Sequence, residues 1–208
     1  MNITIIGAAA GIGLAAVEQA LSKGYNVTAL STNTSRMPEH PLLTKINGSA
    51  TNVFDMKRAM TDADAVLVTI GTKDKKPNTL FSDTATALVS AGTELNLKSP
   101  IIVITGFGAG KSSSYLSFFM RMVIRFFLKN QYINKSLMEK IITESSLHWE
   151  MVRPGMLSDG PLTQQYKVYP QLYNGMKVGK ISRSDVADFL LQQAINPTLA
   201  GQYPALSN

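Results

Sequence analysis

The first thirty residues constrain the fold of this chain more than any other segment. A short β-branched run, Ile3–Ile6, is followed by three glycines within seven residues and then by apolar residues at helical spacing over 14–21. Lys23 and Gly24 end that helix, and residues 25–30 have the pattern of a second strand. The segment therefore predicts a strand, a glycine turn, a helix and a second strand.

The glycine turn has a chemical use. In a strand–helix–strand unit, such a turn lets the backbone approach a pyrophosphate, whose charge the amino terminus of the helix stabilises. We therefore predict a dinucleotide site, with a plain tight turn as the alternative interpretation. The predicted pyrophosphate-binding residues are Gly7, Ala9, Ala10, Gly11, Ile12 and Gly13.

The end of the second predicted strand indicates which dinucleotide binds. NAD-binding units usually carry an Asp or Glu there, which accepts a hydrogen bond from the ribose 2′-hydroxyl. Residues 30–36 contain no acid, whereas Thr32, Ser35 and Arg36 provide two hydroxyls and a cation that suit a 2′-phosphate. We predict NADPH as the cofactor, with NADH as the alternative. The competing interpretation is a solvated loop with an incidental arginine.

The composition excludes several classes of protein. The 208 residues contain no cysteine and two separated histidines, His40 and His148, so neither disulfides nor a metal site is expected. No apolar run reaches the roughly 18 residues of a spanning helix, and we expect no signal peptide, because a predicted strand stands where its apolar region would be. The net charge of +6 comes without a basic arm or RNA-binding motif, so we assign it to anionic ligands rather than nucleic acid. We expect a cytoplasmic protein.

Strands and helices alternate to the end of the chain. Near-continuous apolar runs at 65–70 and 101–105 are typical of strands that are buried on both faces. We therefore predict one domain over residues 1–208 with an α/β fold, a doubly wound parallel sheet covered by helices on both faces. Ligands of such sheets bind beyond the carboxyl ends of the strands.

Those strand ends supply the remaining site residues. Gly71, Thr72 and Thr105 are expected to flank the nicotinamide half of the cofactor, and Lys73 adds a cation beside them. The residues predicted to contact the substrate are Phe107, Arg153, Pro154 and Gly155.

The catalytic residue is otherwise unknown, and Lys135 is its one candidate. The Tyr-x-x-x-Lys pair of common short-chain dehydrogenases has a single match, Tyr173 and Lys177, which follows the sixth strand rather than the fifth. At the expected place, Lys135 stands four residues before Glu139, so the two share a helix face. Two interpretations stay open: a surface ion pair, or a lysine that contacts the nicotinamide ribose and is oriented by Glu139.

The segment 115–129 is apolar nearly all round, yet Arg121, Arg125 and Lys129 form a cationic stripe at helical spacing. Four interpretations stay open: a membrane-surface helix, a partly buried helix with one solvated edge, a lid over a flat conjugated substrate, and a subunit interface. We favour the partly buried helix.

Several weak motifs occur in one order along the chain and together carry a resemblance. They are Gly24–Thr28, Thr34–Pro38, Asp64–Val66, Gly71–Thr72, Trp149–Gly155, Asp159–Thr163 and Ile181–Ala187. The chain resembles the atypical short-chain dehydrogenase/reductase family, in the branch that includes the biliverdin-IXβ and flavin reductases. The resemblance implies a Rossmann-like fold, NADPH as cofactor, and flavins, bilins or quinone-like molecules as acceptors.

The chain differs from that family at three positions where family members carry polar residues near the ligands. Ser49 stands where an aspartate is usual after the third strand, Gly106 replaces a serine, and Gly155 replaces a histidine. Hydride transfer to a stacked flavin asks little acid–base chemistry of the protein. We therefore predict an oxidoreductase, monomeric or homodimeric, that transfers hydride from NADPH to a flavin-like, bilin-like or quinone-like acceptor. The alternative is a non-catalytic NADP(H)-binding redox sensor that acts through a protein partner.

Overall fold

In the computed structural model, which describes residues 1–72, 74, 76–173 and 175–208, ten strands and six α-helices alternate along the chain. The strands are β1 (Asn2–Ile6), β2 (Asn26–Ser31), β3 (Leu43–Asn47), β4 (Ala65–Val68), β5 (Ile101–Ile104), β6 (Trp149–Pro154), β7 (Met156–Ser158), β8 (Lys167–Tyr169), β9 (Lys180–Ser182) and β10 (Ala205–Ser207). The helices are α1 (Gly11–Ser22), α2 (Val53–Met60), α3 (Leu80–Glu94), α4 (Phe118–Val123), α5 (Lys129–Thr143) and α6 (Arg183–Ile195).

Eight of the strands form one sheet in the order β3-β2-β1-β4-β5-β6-β10-β8. Every neighbouring pair is parallel except β10 with β8, and β7 pairs with β9 in a separate parallel ribbon. The order of the first six is that of doubly wound dinucleotide-binding sheets, which confirms the predicted α/β fold. The strand order reverses between β1 and β4, which opens a crevice at their carboxyl ends.

Apolar side chains cover both faces of the sheet. Ile3 and Ile5 of β1 pack in one buried cluster with residues of α1 and α6. Ile6 of the same strand packs in the other cluster with residues of α2, α3 and α5, among them the fully buried Phe81. This alternation within one strand explains why β1 reads as a continuous apolar run in the sequence.

The helix predicted over 115–129 is interrupted. A 3₁₀ turn (Gly110–Tyr115) precedes α4, and a π-helical turn (Ile124–Leu128) joins α4 to α5. The segment is partly buried, as the favoured interpretation has it, but no residue of α4 or of the π turn is fully buried. Its anchoring contacts come instead from half-buried side chains such as Met120 and Ile124.

Candidate functional site

The glycine turn after β1 is held tightly by backbone contacts. Gly7 has a φ of +84°, and its amide donates to the Leu30 carbonyl of β2 at 2.9 Å. The Thr69 hydroxyl, just past β4, donates to the Ile6 carbonyl at 2.9 Å. A Cβ on Gly13 would lie 2.3 Å from the Gly7 carbonyl oxygen, so α1 approaches the turn more closely than any other residue would permit. Sequence analysis missed the role of Thr69.

The amino terminus of α1 is open to an anion. Ala10, its N-cap residue, supplies no side-chain hydrogen bond, and both Ala10 and Gly11 are exposed. The first amides of a helix have no partner within the helix. The Arg183 side chain lies beside them, since a Cβ on Gly11 would be 3.6 Å from its Cδ. An uncapped helix terminus next to a guanidinium fits a pyrophosphate.

Arg183 lies in Ile181–Ala187, one of the motifs that carry the resemblance in the sequence. The Ser182 hydroxyl accepts a hydrogen bond from the Asp185 amide at 2.9 Å and caps α6. That cap fixes Arg183 as the first residue of the helix, where its Nη1 also lies 2.6 Å from Asp159 Oδ1. The cap was predictable, but the contact with Gly11 is not, because 172 positions along the chain separate the two residues.

The loop after β2 presents the predicted 2′-phosphate contacts at the surface. Its start is an Asx turn in which Asn33 Oδ1 accepts from the Ser35 amide at 2.9 Å. Its end is anchored by Met37, whose side chain is buried in the core beside α1. Thr32, Ser35 and Arg36 are all exposed between these anchors. Within the described part of the chain, Arg36 has no carboxylate at ion-pair distance.

An acid does lie at the neighbouring strand end, although Ser49 replaces the usual aspartate. Asp55 of α2 accepts a hydrogen bond from the Ser49 amide at 2.9 Å. A Cβ on Gly48 would lie 2.7 Å from the Asp55 carboxylate, so the glycine makes room for it. The helix thus supplies a carboxylate that the strand lacks.

The end of β4 borders the glycine turn on the other side. Thr69 and Ile70 are buried, Gly71 is exposed, and a Cβ on Gly71 would meet no atom within 4 Å. Thr72 is half-buried, and its hydroxyl accepts from the Asp74 amide at 2.9 Å. Lys73, also predicted at this edge, lies outside the described residues.

Glu139 is the centre of a buried polar cluster beyond β5. Its carboxylate accepts a hydrogen bond from the Thr105 hydroxyl at 2.7 Å. It also forms a bidentate ion pair with Arg153, whose Nε and Nη2 lie 2.9 and 2.6 Å from the two carboxylate oxygens. Both charged side chains are at most 5% exposed. The predicted surface pair of Lys135 with Glu139 is therefore wrong, because the carboxylate is buried and satisfied by Thr105 and Arg153 instead.

Lys135 is held by a carbonyl and two aromatic rings. Its Nζ donates to the Thr105 carbonyl oxygen at 2.6 Å and lies 5.2 and 5.3 Å from the ring centroids of Phe81 and Tyr132. Burial lowers the pKa of Lys135 to about 8, and the nearby Glu139 charge opposes that shift. The predicted lysine therefore stands at the carboxyl end of β5, but Glu139 does not bind it directly.

Tyr132 is a site residue that sequence analysis passed over. Its hydroxyl lies 3.2 Å from the position of a Cβ on Gly106, and its ring lies 3.0 Å from that of Gly108. Burial raises the pKa of Tyr132, so the hydroxyl stays protonated. The search for Tyr-x-x-x-Lys overlooked Tyr-x-x-Lys, although residues three apart also share a helix face.

The predicted substrate contacts are packed more deeply than expected. Phe107 is 7% exposed, and its amide donates to the Pro154 carbonyl at 2.9 Å. A Cβ on Gly155 would lie 2.1 Å from the Gly179 carbonyl, so this glycine serves close backbone packing. The Arg153 guanidinium is stacked 4.4 Å from the Tyr203 ring. A direct contact between these four residues and a substrate stays a prediction.

A pocket of about 580 Å³ opens on the outer side of α5. Glu139, Arg153 and Tyr203 line it, whereas Lys135 and Tyr132 do not. Among the described residues, no group of three or more His, Asp or Glu side chains is arranged to hold a metal ion. Over the same residues, no helix combines the length and the apolarity needed to cross a membrane.

The sheet order, the glycine turn and the open end of α1 define a dinucleotide-binding protein of the Rossmann type. The chain belongs to the NAD(P)H-binding family, whose model matches residues 7–197. The resemblance inferred from the motifs is thereby confirmed at the level of the family.

Three solved structures share the fold over 100% of this chain. The oxidoreductase ylbE from Lactococcus lactis is 17% identical, with 91% of that chain covered and a TM-score of 0.85. A short-chain dehydrogenase/reductase from Veillonella parvula, solved in complex with NADP, is 18% identical, with 94% covered and a TM-score of 0.85. ChuY, an anaerobilin reductase from Escherichia coli, is 21% identical, with 97% covered and a TM-score of 0.78.

Proposed function

We propose that this protein is an NADPH-dependent reductase that transfers hydride to a flat conjugated acceptor of the flavin, bilin or quinone type. The observation that carries the proposal is the pairing of an open α1 terminus with an acid-free β2 end. NADH-specific sites usually carry a carboxylate that accepts a hydrogen bond from the ribose 2′-hydroxyl. Here the exposed groups at that position are Thr32, Ser35 and Arg36, which suit a phosphate.

The cofactor would lie across the reversal of strand order between β1 and β4. Its pyrophosphate would accept from the first amides of α1, with Arg183 adding a charge beside them. Its nicotinamide half would reach the end of β5. There, Lys135 donates one of its three N–H bonds to Thr105 and keeps the others for the ribose hydroxyls.

Bound NADPH supplies the hydride. The acceptor also needs a proton, and Tyr132 is the side chain placed to deliver it, because its hydroxyl lies beyond the end of β5, 3.2 Å from the position of a Cβ on Gly106. Lys135 lies over the Tyr132 ring and orients it. Solvent returns the proton to the phenolate after transfer. In this scheme each acceptor molecule receives one hydride from NADPH and one proton from Tyr132.

The acceptor class rests on the surroundings of Tyr132. Its neighbours are the glycines Gly106 and Gly108 and the side chain of Lys135, and the polar groups beyond β5, Thr105, Glu139 and Arg153, are bonded to one another, which leaves few groups to recognise a polar substrate. A flat conjugated molecule needs stacking rather than many hydrogen bonds. That ChuY reduces a bilin supports including bilins among the acceptors to be tried.

The test is NADPH oxidation, followed by loss of the nicotinamide absorbance, with FMN, riboflavin, biliverdin and several quinones. We expect oxidation above the blank with at least one of them. No oxidation with any acceptor, in a protein that binds NADPH, would reject the reductase.

One observation favours the second candidate, a redox sensor. The mutual bonding of Thr105, Glu139 and Arg153 leaves the site poor in free acid–base groups. A sensor would bind NADP(H) without turnover and change its self-association or partner binding with the cofactor. Sedimentation that is identical with and without cofactor would exclude the self-association form of this idea.

A further inference from the structure

The surface around α4 and the π turn exposes an unusual amount of aromatic side chain. We call residues 118–129 the aromatic helix. The exposed fractions of its four phenylalanines are 79% for Phe118, 70% for Phe119, 66% for Phe126 and 65% for Phe127. A single exposed apolar residue is ordinary, but a contiguous group of this size marks an interaction surface.

The same helix carries cations without acids. Arg121, Arg125 and Lys129 are spaced four residues apart and are all exposed. No Asp or Glu occurs in the sequence between Glu94 and Glu139. Across the part of the chain that the structure describes, no carboxylate lies at ion-pair distance from any of the three. The apolar surface is therefore bordered by positive charge that no carboxylate of the described residues pairs with.

The aromatic helix is anchored by side chains on its inner side, and these contacts keep its phenylalanines exposed. Ser117 caps α4 by accepting from the Met120 amide at 3.3 Å. Ile124 reaches the loop after β5, where a Cβ on Gly108 would lie 2.7 Å from its Cδ1. Ile124 and Met120 also pack on the buried cluster around Phe107. These contacts hold the backbone while the phenylalanines project outward.

We propose that the aromatic helix docks the protein on the surface of an anionic lipid membrane. The phenylalanines would enter the boundary between headgroups and acyl chains, and Arg121, Arg125 and Lys129 would lie against lipid phosphates. The combination of an apolar face with an unneutralised cationic edge matches that of helices that lie in the plane of such a surface. The exposed phenylalanines and cations are not among the residues assigned to cofactor and acceptor, although the inner side chains Met120 and Ile124 pack beside Phe107.

A second copy of the chain fits this surface less well. A two-fold interface places the same patch on both sides. It would bring the stripe of Arg121, Arg125 and Lys129 against itself, within a stretch of chain that holds no acid. The phenylalanines are also 65% or more exposed, so they project from the surface rather than line a groove for a partner side chain.

The test is co-sedimentation of the full chain with vesicles of phosphatidylcholine, with and without phosphatidylglycerol. We expect binding to the anionic vesicles that weakens as salt is added, and little binding to phosphatidylcholine alone. The double variant Phe118→Ser/Phe127→Ser should lower the partition coefficient by at least about tenfold. Arg121→Gln and Arg125→Gln should each lower it by about fivefold.

The chain offers a matched control on α2. Phe54 is 68% exposed, and the Arg58 guanidinium lies 5.7 Å from its ring, so the pair copies the chemistry of the aromatic helix at one isolated place. Phe54→Ser and Arg58→Gln should leave vesicle binding unchanged. Thermal unfolding of every variant verifies that the substitutions at these exposed positions leave the fold intact.

Three results would overturn the proposal. The first is that the unmodified protein does not bind anionic vesicles. The second is that Phe54→Ser reduces binding as much as Phe118→Ser/Phe127→Ser does. The third is sedimentation of a dimer that the double variant dissociates and that vesicles do not compete with, which would identify the aromatic helix as a subunit interface.

Discussion

The two ends of the ligand-binding edge are built in different ways. At β1 and β2, the backbone forms the site, through Gly7, Gly13 and the uncapped terminus of α1, and the loop side chains are exposed. At β5 and β6, buried side chains bind one another, with Glu139 joining Thr105 to Arg153. The first end therefore leaves donor groups free for a charged ligand, whereas the polar side chains of the second are bonded to one another.

The two ends also differ in whether burial shifts the pKa values of their side chains. Burial lowers the pKa of Lys135 to about 8 and raises that of Tyr132. The β2 loop has no such buried group, since Thr32, Ser35 and Arg36 are exposed. We therefore expect charge binding at the first end and proton transfer at the second, and each substitution at these ends should affect one of them alone.

The largest effect is expected from breaking the buried ion pair. Glu139→Ala leaves the Arg153 guanidinium buried without its carboxylate, which should lower the free energy of unfolding by about 3–5 kcal/mol. Denaturant unfolding of the variant and the unmodified protein measures this loss of stability. The matched control is Glu144→Ala, because Glu144 pairs with Lys140 at 3.9 Å on the exposed side of the same helix, and its loss should cost less than about 0.5 kcal/mol. If the two variants lost the same free energy of unfolding, the buried pair would contribute no more than a surface pair, which would contradict this prediction.

Glu150 of β6 contrasts with the paired Glu139, because its buried carboxyl group has no hydrogen-bond partner among the described residues. Within the described chain, neither of its oxygens has a hydrogen-bond partner, and burial raises its pKa from 4.5 to about 8. Between those two pH values the folded protein keeps a proton that the unfolded chain releases, so stability falls as pH rises.

Glu150→Gln should remove that pH dependence. At pH 8 and above, the variant should be more stable than the unmodified protein by about 2–4 kcal/mol. Urea unfolding at pH 5 and pH 8.5 measures the difference. A variant that is less stable at both pH values would show that Glu150 has a favourable partner.

Tyr132→Phe should act on turnover alone. The ring contacts with Gly106 and Gly108 remain, while the proton donor is lost, so the rate with a bilin or quinone should fall by about a hundredfold. The Kd for NADPH should stay within about twofold, since the β1–β2 end is unchanged. Stopped-flow reduction and fluorescence titration separate the two. An unchanged rate would assign the proton to solvent.

Arg36→Ala should act on binding alone and by a smaller amount. Loss of a charge-assisted bond to the 2′-phosphate should weaken NADPH by about 1–3 kcal/mol and leave NADH nearly unchanged. Arg125→Ala, at an exposed arginine of the aromatic helix, should change neither affinity. Equal weakening of both cofactors would mean that Arg36 does not bind the phosphate.

The parts that sequence predicts here are those that neighbouring residues determine. The glycine turn and the acid-free β2 end each occupy a few consecutive positions, and the structure contains both. The β5–β6 end depends on contacts between distant residues. Glu139 has a lysine at helical spacing and an arginine 14 residues away, and only tertiary packing decides that the arginine binds it.

The most direct test is fluorescence titration of the unmodified protein with NADPH and with NADH, followed by addition of acceptors while the nicotinamide absorbance is monitored. We predict tighter binding of NADPH, by about tenfold or more as one charge-assisted contact provides, and oxidation on addition of an acceptor. Equal affinity for the two cofactors, or NADPH bound without oxidation by any acceptor, would contradict an NADPH-dependent reductase.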